Sequence, residues 1–109
     1  MGKSVGLLEV YGLAAAFVAA DAACKAANVV IEAFDRNKPF NADKLEVPLI
    51  IVVKLRGSLS DVREAVEAGK RAAEQVSGVV LTHIIPSPEE GTDEFLKINC
   101  LKNKTKQEE

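Results

Sequence analysis

One plan, stated twice, constrains this chain more than any other feature. An apolar run, an alanine-rich or amphipathic helical segment and a second apolar run appear once before the polar interruption Asp35 to Val47 and once after it. The first copy is SVGLLEV (Ser4 to Val10), LAAAFVAADAACKAAN (Leu13 to Asn28) and VVIEAF (Val29 to Phe34). The second is PLIIVVKL (Pro48 to Leu55), a segment from Ser58 or Ser60 through Ser77, and VVLTHII (Val79 to Ile85). Short runs rich in β-branched residues and bounded by glycine or proline read as strands, and the longer runs of good helix formers between them read as helices. The order β-α-β-β-α-β predicts an α+β fold of the ferredoxin-like kind, in which a four-stranded, largely antiparallel sheet carries both helices on one face. That arrangement leaves the other face uncovered, which points to completion by self-association.

The two helices have different surfaces. The first has few bulky residues, Leu13, Phe17 and Val18, and its remaining apolar surface is mostly alanine, which lets a neighbouring backbone come close. The second places Val62, Ala65, Val66, Gly69, Ala72, Ala73 and Val76 at helical spacing, with Arg63, Glu64, Glu67, Lys70, Arg71 and Glu74 on the wet side. Ser58 and Ser60 both suit its N-cap. Gly69 costs about 1 kcal/mol relative to alanine in mid-helix, so it either permits a close contact or is simply tolerated. After the fourth strand, Pro86 and Pro88 stop the chain, Thr92 to Ile98 suits a short last helix, and the polar end from residue 99 to residue 109 reads as a disordered tail on a single domain spanning residues 1 to 98.

Composition narrows the function. With 109 residues and 48% hydrophobic content, one domain can bury a core without staples. A net charge of −2 and 5% aromatic residues, none of them Trp, argue against a nucleic-acid binder. No apolar run approaches the roughly 20 residues of a membrane span, so a cytoplasmic protein without a membrane partner is expected. Cys24 and Cys100 lack metal-ligand or disulfide spacing. The single histidine, His83, sits within the fourth strand without a nucleophile or carboxylate at motif spacing, and no glycine-rich phosphate cradle is present. The residues therefore predict no enzyme, no metal and no cofactor.

The interruption DRNKPFNADKLEV is about a dozen residues long, whereas hairpin loops usually take 2 to 5. Its charges nearly balance, with Arg36, Lys38 and Lys44 against Asp35, Asp43 and Glu46, and Pro39 and Phe40 stiffen its centre.

Two stretches carry a resemblance. LLEVYGLAAAFVAADAACKAANV is similar to the opening signature of the hexameric bacterial microcompartment shell proteins, approximately G-M-V-E-T-x-G-L-x-A-A-x-x-A-A-D-A-M-x-K-A-A-N-V. KLRGSLSDVREAVEAGKRAAEQVSGVVLTHIIPSP resembles the same family's R-G-x-x-x-x-V-x-x-A-x-x-A-G followed by H-V-I-P-x-P, and Gly69 closes the first of these, which favours a close contact there. The resemblance implies a BMC domain in flat cyclic homohexamers that abut within a shell, with other shell proteins and the encapsulated enzymes as neighbours. It implies an edge between tiles at Asp21, Lys25 and Asn28, and at Ser87, where many members carry arginine. It also implies a central pore for small metabolites at the loop from Arg36, here Arg36, Asn37, Lys38, Pro39, Phe40 and Asn41. The family's short K-I-G-S-G turn is replaced by NKPFNADKLEV. Some divergent members, of the glycyl-radical-enzyme compartment type, hold an iron-sulfur cluster near the pore, but this loop has no cysteine, so no cluster is expected. The competing reading is a small ferredoxin-like regulatory module that binds a ligand as a dimer.

Overall fold

A computed structural model describes residues 3–37 and 49–87 of the chain. The element order is β1 (Ser4–Tyr11), α1 (Leu13–Ala26), β2 (Val29–Asn37), β3 (Ile50–Gly57), α2 (Leu59–Glu74) and β4 (Val79–Ile85). The strands lie in the order β2-β3-β1-β4, and each neighbouring pair is antiparallel. This is the ferredoxin-like α+β sandwich expected from the doubled plan. The expected last helix, Thr92 to Ile98, and the tail lie outside the described residues, as do Lys38 to Asn41 of the long loop.

Element boundaries moved by a few residues, each for a local reason. The first helix ends at Ala26 rather than Asn28, because Ala27 is already extended (φ −154°, ψ 169°). The second strand runs past Phe34 to Asn37, carried by its pairing with β3 from Val29–Gly57 to Asn37–Ile50. The third begins at Ile50, not Pro48, and α2 stops at Glu74, leaving Val76 exposed beyond the helix instead of on its apolar face.

Strand alternation puts Gly6, Leu8 and Val10 of β1 and Ile51, Val53 and Leu55 of β3 toward the helices, where they form the core with Val62, Ala65, Val66 and Ala73 of α2. From α1 the core takes only alanines: Ala15, Ala16, Ala19, Ala20 and Ala23 are all buried. Gly69 explains why alanine suffices. A Cβ at this position would lie 3.1 Å from the carbonyl oxygen of Ala19 and 3.2 Å from Leu8 Cδ1, so the glycine lets α1, α2 and the sheet close on one point. The helix that carries it starts at Ser58, whose Oγ accepts the Asp61 N–H at 3.2 Å and donates to Asp61 Oδ2 at 2.8 Å. Ser58, and not Ser60, is the cap.

The opposite face is less bare than expected. Val5 and Lys54 point away from the helices by alternation, yet they are only 1% and 6% exposed. In register, Val5 is flanked by the long side chains of Arg56 and Ile85, and Lys54 by Leu7 and Ala33. Two cross-strand ion pairs occupy this face. Arg56 Nε meets Glu32 Oε1 at 3.1 Å, and Lys54 Nζ lies 3.7 Å from Asp35 Oδ2.

Candidate functional site

The register assigns each candidate residue to one end of the sheet or the other. Arg36 and Asn37 pair with Ile51 and Ile50 at the last rungs of β2, in line with Val10 and Tyr11 of β1. Asn28 precedes Val29, at the other end of β2, where Val30, Arg56, Val5 and Ile85 share a rung across all four strands. Ser87 lies just beyond Ile85 and so belongs to that same end. With 9 residues in β2, the two ends are separated by about 26 Å at the usual rise per residue. The helix α1 runs from the first end to the second, which puts Asp21 and Lys25 in the half approaching Asn28. The residues singled out from the sequence thus fall into two groups at opposite ends of one sheet: Arg36 and Asn37, and Asp21, Lys25, Asn28 and Ser87.

Within the second group, Lys25 Nζ and Asp21 Oδ2 form an i,i+4 ion pair of 2.8 Å on the open surface of α1. The hydrogen bond from Lys25 to Asp21, helped by the charge attraction, raises the lysine above its ordinary value of 10.5. Asn28 and Ser87 are exposed. Beside the first group, Asp35 is turned back onto its own strands: its Oδ1 accepts the Arg36 N–H at 2.8 Å while Oδ2 faces Lys54. Arg36 itself is exposed.

Two apolar surfaces become visible only in the folded chain. Leu13, Phe17 and Val18 of α1, with Val30 and Ile31 of β2, are exposed along the β2 edge, and Phe17 rests against Phe34 with ring centroids 5.1 Å apart. At the other edge, none of the apolar residues of β4 is buried, and Val80 and Leu81 are exposed. A strand of sequence VVLTHII has the composition of a core strand, so its exposure marks a surface that association would cover. That signal was present in the sequence, but it needed the strand order, which puts β4 and β2 at the two margins of the sheet.

Groups suited to catalysis are sparse among the described residues. Among the described residues, no group of His, Cys, Asp and Glu is spaced to hold a metal ion. His83 faces away from the helices beside Leu7, and Cys24 is an exposed free thiol. A shallow depression on α2, lined by Leu59, Ser60, Arg63, Glu64, Glu67 and Arg71, is the wet face already expected for that helix. Among the described residues, no helix is long and apolar enough to cross a membrane.

The model of the BMC domain family matches residues 4–88, which take in every described strand and helix. The chain belongs to the BMC-domain family. This BMC domain is 34% identical over 94 residues to the bacterial microcompartment shell protein PduA of Citrobacter freundii, covering 86% of this chain and 91% of PduA. It is 35% identical over 100 residues to the carboxysome shell protein CcmK3 of Halothece sp., covering 90% of this chain and 89% of the relative. Among solved structures it is similar to a microcompartment protein from Desulfitobacterium hafniense DCB, with a TM-score of 0.67 and 27% identity over 94% of this chain. The chain spans about half the length of that protein, 51%. These relatives support a shell protein and give the dimeric regulatory module no support. They do not bear on the glycyl-radical type.

Proposed function

We propose that this BMC domain is a non-catalytic tile of a bacterial microcompartment shell within the cytoplasm, and that it acts by closing into a cyclic homohexamer with a central pore. The observation that carries this reading is the family match over residues 4–88 with relatives named as shell proteins. In the ring, the end of β2 with Arg36 and Asn37 faces the sixfold axis, and the loop that follows, Lys38, Pro39, Phe40 and Asn41 included, forms the rim through which small polar metabolites pass. The other end of the sheet, with Asp21, Lys25, Asn28 and Ser87, forms the edge between tiles. The separation of the two groups by the full length of β2 supports this assignment, because centre and edge of a flat ring must lie at opposite ends of each subunit.

The edge differs from the common pattern at Ser87, where an arginine would offer a planar, multidentate donor to a neighbouring tile. Serine offers one short hydroxyl. Neighbouring tiles of other shell proteins therefore supply part of the lateral contact, and encapsulated enzymes meet one face of the assembled layer. Negative-stain electron microscopy of the purified chain tests the reading. Rings, sheets or tubes are expected, whereas a dimer whose melting temperature rises on addition of a metabolite would replace the tile with a ligand-binding module.

A further inference from the structure

We infer that closure of the ring is pH-sensitive: His83 is a switch on the exposed margin of β4, and its protonation releases one subunit from the next. The inference rests on the tile reading above and adds a condition under which the ring opens.

β4 is an edge strand, and none of its apolar residues is buried in the single subunit. Val80 and Leu81 are exposed, and His83, itself exposed, shares with Leu81 the face turned away from the helices. His83 is the one ionisable side chain in the strand VVLTHII and the one histidine of the chain. Histidine is the side chain whose charge ordinarily changes between pH 5 and 8. A margin that is uncharged in mild alkali therefore becomes positive in mild acid.

A cyclic contact is head-to-tail, so each subunit offers one margin of its sheet to the other margin of its neighbour. What β4 meets in the next copy is the apolar strip of Leu13, Phe17, Val18, Val30 and Ile31 beside β2. The two elements of that strip contain three acidic residues, and each is engaged within its own subunit. Asp21 holds Lys25 at 2.8 Å, Glu32 holds Arg56 at 3.1 Å, and Asp35 lies 3.7 Å from Lys54. The strip thus covers a neutral imidazole readily, but it has no counter-ion to give an imidazolium, which would lose its water without compensation. Inside its own subunit, His83 shares its sheet face with Leu7, directly opposite on β1, with Glu9 two residues along, and with Lys54 and Arg56 of β3 beyond. The charged residues of α2 lie across the sheet, because that helix packs on the other face of β4. The separate subunit leaves the imidazole in water, free to take a proton, whereas the ring does not. Ring stability is therefore present above the histidine range and is lost as the pH falls through it.

The test is light scattering of the full chain over a dilution series at about pH 7.5 and about pH 5.5, with circular dichroism to follow the fold. The expected result is an intact subunit at both values and a half-assembly concentration about tenfold higher in acid, for one proton per contact. Where the ring withstands dilution, the urea concentration that dissociates it gives the same comparison. His83→Gln, which has no proton to gain, removes the difference between the two pH values, and His83→Lys lowers the mass at both. A half-assembly concentration equal at the two values, or a His83→Gln chain that shows the parent's shift, overturns this inference and leaves the tile standing. A chain that forms no ring at either value overturns the tile reading and the inference with it.

Discussion

Gly69→Ala sets two opposed terms against each other at the point where α1, α2 and the sheet meet. Mid-helix alanine is favoured over glycine by about 1 kcal/mol, so a glycine with nothing near it would be improved by the change. Here the new Cβ would sit 3.1 Å from the Ala19 carbonyl oxygen and 3.2 Å from Leu8 Cδ1, each a few tenths of an ångström too close. Neither neighbour yields easily. The carbonyl belongs to the backbone of α1, and Leu8 is fully buried in the core. Overpacking of this kind costs about 1–3 kcal/mol, so the net effect of alanine is a loss of about 0–2 kcal/mol, and valine, with two further methyl groups, incurs the whole cost. Glu67→Gly, on the exposed face of the same helix, measures the glycine penalty without the contact and should lose about 1 kcal/mol. Urea denaturation followed by circular dichroism, at one fixed chain concentration because assembly adds concentration-dependent stability, reads all three. If Gly69→Ala gained the amount that Glu67→Gly loses, the two helices would not be held at the distance seen, and the role assigned to the alanine face of α1 would fall with it.

Gly6→Ala is expected to be worse, because its Cβ would lie 2.6 Å from Val66 Cγ2 and 2.8 Å from Val62 Cγ1; a loss of about 1–3 kcal/mol in the same denaturation assay is expected. Asp21→Ala removes the hydrogen bond and charge that raise Lys25, so the lysine should titrate lower than in the parent by NMR of its side chain. Because the folded value is raised, the pair's contribution is fully present below 10.5 and is lost as the pH climbs through the folded value, so the two proteins should differ less in strong alkali. Leu81→Asp puts a charge on the exposed apolar edge of β4 and should leave the subunit's circular dichroism intact while lowering the mass seen by light scattering; an unchanged mass would show that this edge is not an assembly surface.

The element order was legible because two different periodicities alternate cleanly, and Gly12, Gly57 and Gly78 punctuate them. The orientation of α1 was not. Leu13, Phe17 and Val18 look like core anchors in a list of residues, yet they point outward, and five alanines face in. A helix apolar on nearly every side gives no direction, and only the close approach at Gly69 shows which side can be thin. The ion pairs on the far sheet face were hidden for another reason. Glu32 and Arg56 are 24 positions apart, and the β2–β3 register shifts between Ile31 and Ala33, so no spacing rule links them. The Lys54–Asp35 pair was concealed by the same register. The candidate rim and edge residues came from the family signature, and their sorting to opposite ends of the sheet required the strand order.

The mass of the purified, unsubstituted chain by native mass spectrometry tests the hexameric tile most directly. A dominant species at six times the chain mass, persisting on dilution to low micromolar concentration, is the predicted result. A monomer or a dimer at high micromolar concentration would contradict it.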